Sequence, residues 1–440
     1  MTPQPLPAPA PTPKLGIVAL TTLLVSAHYG LGFLLGTGEQ TMVSGLAGSL
    51  YPLCLAGGTF LLLLALGRFY WQRQEQIWTL LGDRYGQGIR VGVGLLSWMS
   101  LIGIGSVQII GGAATLSVIG LPKIPVMVGL TLAFVAIAQL PTEKASWVVR
   151  GLLFFNIGVL IYGLISLHGL PLYGRSAGHF IQDLHYNSTG YTLGILLSTL
   201  LLVQIDMKYQ QYFVQAQDVK TLYWGCGLAG VILMLLAFLP SNLVLAAQQA
   251  QILPPGLDAK AVIPQILLSL GGHYPALGFL FVMGLVVPAL GIGSGILRVQ
   301  SKTVFDLGLV NQTPLMAWVV PGVNGTLALA IALKGGSIIG LIASFYAAYG
   351  SAVWVPFGAY LVQEGLGFAL SKTAVYCALG LGSSGSFSVL FWTLWHPQGI
   401  LWDSPELTIL AVGLGCGLLG LGVGEAIDRY RLSLPQTEGP

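Results

Sequence analysis

Charge is what this chain has least of. Lys, Arg, Asp and Glu make up 8% of its 440 residues, about a third of the share that covers an ordinary soluble domain, so a water-exposed surface of that size is excluded. Cysteine is scarce as well: Cys54, Cys226, Cys377 and Cys416 lie within or beside apolar runs, and no CxxC spacing occurs. They read as small buried hydrophobes, which leaves neither a disulfide framework nor a zinc site. Missing too are an HExxH helix, a phosphate-cradling loop ending in GK, and any pair of in-span histidines that could hold haem. Enzyme chemistry, a metal and a cofactor are therefore not expected. The net charge of +3 is what loops facing anionic lipid carry, and it calls for no nucleic-acid partner.

What fills the chain is apolar sequence, 55% of all residues with a mean hydropathy of +0.81, in runs of helix-spanning length from end to end. A bilayer core of about 30 Å takes roughly 20 apolar residues per helix. Only helices or closed barrels satisfy the backbone there, and these runs lack the alternation of barrel strands. The expected fold is all-α and polytopic, with twelve spans near 15 to 38, 47 to 70, 91 to 119, 122 to 140, 146 to 169, 189 to 216, 221 to 247, 273 to 298, 314 to 333, 336 to 361, 371 to 395 and 406 to 426. With the N-terminus inside, fourteen basic residues fall on the inner side: Lys14, Arg68, Arg73, Arg84, Arg90, Lys144, Arg150, Lys208, Lys220, Arg298, Lys302, Lys372, Arg429 and Arg431. Four, Lys123, Arg175, Lys260 and Lys334, fall outside. That asymmetry predicts a cell-membrane protein, plasma or bacterial inner, with both termini cytoplasmic.

Residues 1–14, rich in Pro, are expected to form a disordered cytoplasmic tail, and 433–440 a second tail. Glycine is abundant, at 61 residues, and in membrane helices it permits close backbone approach. Packing is the reading for Gly111, Gly112 and the row Gly413, Gly415, Gly417, Gly420, Gly422, Gly424.

Two places carry polar groups at bilayer depth. Ser26, Ala27, His28, Tyr29, Gly30, Leu31 and Gly32 sit mid-span and weaken the first helix, and such irregular backbone is tolerated only where it lines a cavity or is buried in protein. A kinked packing helix is the other reading. His28 is the one histidine well inside a span, and its ordinary pKa suits proton coupling; a neutral, hydrogen-bonded core histidine is the alternative. In the sixth span, Gln204, Asp206, Lys208, Gln210 and Gln211 form the second cluster, with Asp206 near mid-membrane, unless the helix ends at Ile205 and a solvated loop comes after it. Glu39, just after Gly36, Thr37 and Gly38, is expected at the outer mouth rather than buried.

Four stretches resemble the solute:sodium symporter family, which includes proline, pantothenate and sugar symporters. Gly32 to Gly45, GFLLGTGEQTMVSG, is similar to its first core helix. Trp78 to Arg90, WTLLGDRYGQGIR, resembles the cytoplasmic segment after the second. Gln211 to Lys220, QYFVQAQDVK, resembles the end of the sixth, and Ile342 to Pro356, IASFYAAYGSAVWVP, the tenth. The resemblance implies a LeuT-like core of two inverted five-helix repeats over 15–361, followed by two peripheral transmembrane helices over 362–432. It implies a sodium site between carbonyls at the break in the first helix and a hydroxyl pair on the eighth. Counted back from Asp306, that pair falls on Leu290 and Gly291, which offer no side-chain oxygen; Ser294, one turn on, is the nearest replacement. In the first helix the carbonyls are those of Thr22 and Val25 or of Val25 and His28.

The function these features imply is a secondary active transporter, moving a small polar solute by alternating access and coupled to sodium or protons. A non-transporting solute sensor of the same fold is the alternative, which the missing hydroxyl pair suits and the short stretch after Arg431 opposes. The expected solute site uses Ser26, His28, Tyr29, Gln204 and Asp206, and the ion site Val25, His28 and Ser294, with no metal site. The topology has a direct check: reporter fusions after Lys260 and after Lys372 fall on opposite sides of the membrane, and the same side for both overturns the model.

Overall fold

The computed structural model describes residues 14–140, 142–367, 370–396 and 400–433. The expected tails lie outside the described residues save for Lys14 and Ser433, as do the side chains of Lys144, Arg150 and Lys208. The described chain is nearly all helix, and the helices fall into two sets of the same order.

The first set opens with a broken pair, α1 (Ile17–His28) and α2 (Leu31–Ser44). Next comes α3 (Leu50–Leu62), which passes through a π-helical turn at Leu63–Gly67 into α4 (Arg68–Arg73). A short helix, α5 (Ile77–Tyr85), precedes three long ones, α6 (Gln87–Ser117), α7 (Lys123–Ala138) and α8 (Thr142–Ser166). After the short connecting helices α9 (Leu170–Gly174) and α10 (Ser176–Asp183), the second set repeats that order. It has a broken pair, α11 (Thr189–Ile205) and α12 (Met207–Phe213), then α13 (Val219–Ala237) running into α14 (Leu239–Gln249). A short α15 (Val262–Ser269) again precedes three long helices, α16 (Pro275–Asp306), α17 (Met316–Lys334) and α18 (Ile338–Leu366). Outside this repeat, α19 (Lys372–Trp395) and α20 (Pro405–Ser433) pack on each other and on α18.

Among the described residues, eight helical runs are long and apolar enough to cross a membrane by length and composition, fewer than the twelve spans expected. The reason is local. α1 and α11 are half-helices that end at a break, α7 has only 16 residues, about 24 Å of helix, and of α8 only Phe154–Ser166 enters that comparison. The first span also runs on: α2 reaches Ser44, six residues past the expected end, and the chain turns at Gly45, whose φ of 58° is left-handed backbone that glycine adopts without strain. Glu39 therefore rides on α2 and is buried, contrary to the expectation of an exposed mouth residue.

With no hydrophobic drive between helices in lipid, small residues decide how closely they approach. In α20 this is true of one face only. A Cβ on Gly413, Gly417, Gly420 or Gly424 would meet Ser351, Val355, Cys377 or Ala374, whereas Gly415 and Gly422 face open space. The spacing of four, three and four residues keeps the packed glycines on one side of the helix. Gly111 and Gly112 of α6 are likewise packed, against Leu31 and Leu130. Because the Gly420 Cβ would lie 2.4 Å from the Cys377 carbonyl oxygen, Gly420→Ala is expected to cost about 1–3 kcal/mol by overpacking. Gly415→Ala should leave the detergent-solubilised thermal midpoint unchanged or slightly raised.

Candidate functional site

At the first break, Tyr29 N–H still reaches the Val25 carbonyl at 2.9 Å, but Gly30 N–H turns to the His28 carbonyl at 3.0 Å. The helical ladder is thereby interrupted, and it restarts with Leu34 N–H on the Gly30 carbonyl. Gly30 packs closely on α16, since a Cβ there would lie 2.8 Å from the terminal methyl of Ile292 and push it aside. The second break is at Asp206, whose backbone is extended (φ −73°, ψ 123°). The sixth span thus ends its first helix at Ile205, but the chain continues into the short helix α12, not into a solvated loop.

The two breaks meet through one side chain that the sequence reading did not single out, Tyr209 of α12. Its ring stacks on His28 with centroids 4.3 Å apart, and its hydroxyl lies 2.9 Å from His28 Nδ1. The other ring nitrogen, Nε2, is 3.3 Å from Thr59 Oγ1. Thr59 donates its one hydroxyl proton to the Leu55 carbonyl at 2.9 Å, so toward His28 it can only accept. That places the imidazole proton on Nε2 and makes the Tyr209 hydroxyl the donor to Nδ1. A second proton on His28 would turn the Tyr209 hydroxyl from donor to acceptor, so that each ring N–H keeps an oxygen in reach.

Asp206 is buried and lies within electrostatic reach of Tyr209, Tyr346 and Tyr349. It lines a cavity of about 80 Å³ with Ser97 and Ser100 of α6 and Tyr346 and Tyr349 of α18. Lys302 and Asp306, at the C-terminal end of α16, and Trp78, on α5, line the same cavity. On α16 the cavity is lined by Val299, Lys302, Thr303 and Asp306, so it runs from Asp206 along the end of α16 that carries Arg298 and Lys302.

The remaining expected site residues do not line this cavity. Gln204 donates through Nε2 to the Gly58 carbonyl at 3.1 Å, and its own carbonyl accepts from the Tyr70 hydroxyl at 2.8 Å, which ties α11 to α3 and α4. Ser26 bonds back to the Leu23 carbonyl. Tyr29 packs on Phe33, and its buried hydroxyl has no partner among the described residues. Val25 has its carbonyl on Tyr29 N–H. Ser294 donates to the Gly291 carbonyl at 3.2 Å and sits two residues past Ile292, about 200° round α16, so the structure does not bring it to the broken first helix. The missed residues carried one readable signal. Tyr346 and Tyr349, three apart, put two phenols on one face of an apolar helix.

Gly174 to Gly178, GRSAG, matches the spacing of a nucleophile elbow, but it joins two short helices rather than a strand and a helix. Ser176 is buried, donating to the Tyr173 carbonyl at 2.8 Å and accepting from Asn242 at 2.8 Å, so it is a packing residue.

No family model matches the sequence, and no curated protein matches it. Solved structures do. A Na+-coupled sialic acid symporter in a substrate-bound outward-open state is similar over 94% of this chain and 90% of its own, at 12% identity and a TM-score of 0.65. Mhp1, a nucleobase-cation-symport-1 family transporter in a closed conformation with bromovinylhydantoin bound, is similar over 98% and 97%, at 14% identity and a TM-score of 0.56. The chain has the LeuT transporter fold. A manganese transporter from Eremococcus coleocola is similar as well, over 95% of each chain at 13% identity and a TM-score of 0.54. Within the LeuT fold the two broken pairs, α1–α2 and α11–α12, each open one set of five, as the expectation of paired repeats requires.

Proposed function

We propose that the chain is a secondary active transporter of the solute:sodium symporter type, carrying a small polar solute across a cell membrane by alternating access, with both termini cytoplasmic. The observation that carries this reading is the cavity at the second helix break: it reaches Asp206 from the basic end of α16, while α2, beyond the first break, is packed shut against α15 and α18. A site reached from one side only is one half of an alternating-access cycle. The structural neighbours named above are transporters, one of them Na+-coupled and one of a cation-symport family by name, and that agrees with the reading.

If the reading holds, Gly30→Leu drives a side chain into Ile292 and Asp206→Ala removes the carboxylate at the second break. Both are expected to abolish uptake into right-side-out vesicles while the protein still inserts. Normal uptake by both variants would move the site elsewhere, and solute binding without uptake by the parent would mark a sensor.

The choice of coupling ion rests on the donors at hand. A sodium ion needs several oxygens to replace its water. The positions the family resemblance assigns to it offer Leu290 and Gly291, neither with a side-chain oxygen, and leave Ser294 as the one hydroxyl nearby. His28, held between Tyr209 and Thr59, can instead take or release a proton without losing either partner. Proton coupling through His28 is therefore the reading adopted, with H+ in place of Na+ as the coupling ion. Uptake should rise with an inward-directed proton gradient in sodium-free buffer, and His28→Ala should flatten that response. Strict dependence on external sodium, indifferent to the gradient, would defeat it.

A further inference from the structure

We infer that Glu39 is the outer latch of this transport cycle, a gating residue that ties α2 across the outer mouth and must let go before the solute can enter from outside; the inference rests on the transport reading above. Glu39 stands near the outer end of α2 and accepts from two segments of the second repeat. Oε2 takes the Ile338 N–H at 2.8 Å, and Oε1 pairs with Lys260 Nζ at 3.2 Å. Ile338 N–H is the first helical N–H of α18, a donor the helix itself leaves unsatisfied and one whose positive dipole end favours a carboxylate.

The tie extends beyond Glu39. Lys260 lies in the 3-10 turn Ala259–Ala261, capped by Asp258, which accepts from Lys260 N–H at 3.1 Å and pairs with Lys123 Nζ of α7 at 2.7 Å. Burial alone would raise the Asp258 carboxyl, but Lys123 and the Lys260 N–H outweigh it and hold it below the usual carboxylate range. Asp258 is thus ionised at neutral pH, and its pair with Lys123 weakens as pH falls through that lowered value. Four segments, α7, the 3-10 turn, α2 and α18, are joined by these bonds in one row.

Beneath the row is an apolar seal. A Cβ at Gly36 would lie 2.7 Å from Ile339, and one at Gly38 2.7 Å from Ile263, so α2 is wedged between α18 and α15 with no room for solute. One feature separates a latch from a permanent brace. α2 is the half-helix that begins at the Gly30 break, and so it has a hinge at one end and these bonds at the other. The Glu39 and Lys260 side chains are still 11% and 25% exposed, so each charge has water beside it to take it up when the pair parts. Its bonds exist only in the state closed outside, and a differential contact of this kind shifts populations between states.

The test reads conformation rather than flux. In a chain with Cys54, Cys226, Cys377 and Cys416 changed to Ala, one reporter is Ile342→Cys, buried beneath the seal where Ile342 packs on Gly32. A second is Thr303→Cys, on the wall of the inner cavity. A membrane-impermeant maleimide is applied to right-side-out vesicles for the first and inside-out vesicles for the second. Glu39→Ala, which loses both bonds, should speed outer labelling roughly tenfold, the scale of a charge-assisted hydrogen bond, and slow inner labelling in return. Glu39→Gln and Lys260→Met, which lose only the ion pair, should move both rates the same way but less. Unchanged rates, or faster labelling from both sides, would overturn the latch, the latter showing general loosening. Absence of uptake by the parent protein would remove the transport reading, while the reciprocal shift would still decide the role of Glu39.

Discussion

Everything in this protein depends on the absence of water from the bilayer core. A backbone N–H or carbonyl that leaves its helical partner there must find another inside the protein, so a helix can break only where other protein groups, near in the chain or distant, take up the loose ones. The breaks at Gly30 and Asp206 satisfy that condition in different ways. At the first, Gly30 N–H folds back on the His28 carbonyl; at the second, Tyr209 N–H and Gln210 N–H both return to the Asp206 carbonyl. Each break is then covered by side chains from other helices, and those covering side chains are what make the site.

The covering is mostly phenolic. Tyr209, Tyr346 and Tyr349 surround Asp206, and Tyr209 reaches across to His28. A phenol suits this place because its ring packs as an apolar group while its hydroxyl can donate or accept. The pairing of His28 with Tyr209 also joins α1 to α12, and a second link joins them near the other end of α1: Leu15 N–H to the Gln215 carbonyl at 2.7 Å and Gln217 N–H to the Leu15 carbonyl at 3.1 Å. The half-helices α1 and α12 are therefore bonded to each other, while the other half of the first broken helix, α2, packs on α15 and α18. A motion that opens one side and closes the other can use that division.

Much of this was written in the sequence. The scarcity of charge and the length of the apolar runs require a helical membrane protein, because only helices and closed barrels satisfy the backbone in lipid and the runs lack the alternation of barrel strands. Paired glycines and polar residues at 26–32 mark the first break, since they weaken a helix whatever surrounds it. The acid at 206 marks the second, because a carboxylate at that depth persists only with partners. These are local properties, and composition and spacing are enough to state them.

Only the tertiary structure decided which polar groups converge. Rotation about a helix axis turns Gln204 toward Gly58 and Asp206 into the cavity, although they are two residues apart, and it sets Ser294 on a different face of α16 from Ile292. An apolar helix with no strongly polar face gives no signal of that rotation. Thr59 and Tyr209 became partners of His28 through packing between α1, α3 and α12, segments 31 and 181 residues away from it in the chain. Glu39 is buried because α18 and the turn before α15 close over it, and nothing within α2 itself could announce that. The sequence by itself determined where helices form and where they break; the packing of distant helices decided which broken ends and side chains face one another, because that depends on contacts that no local stretch contains.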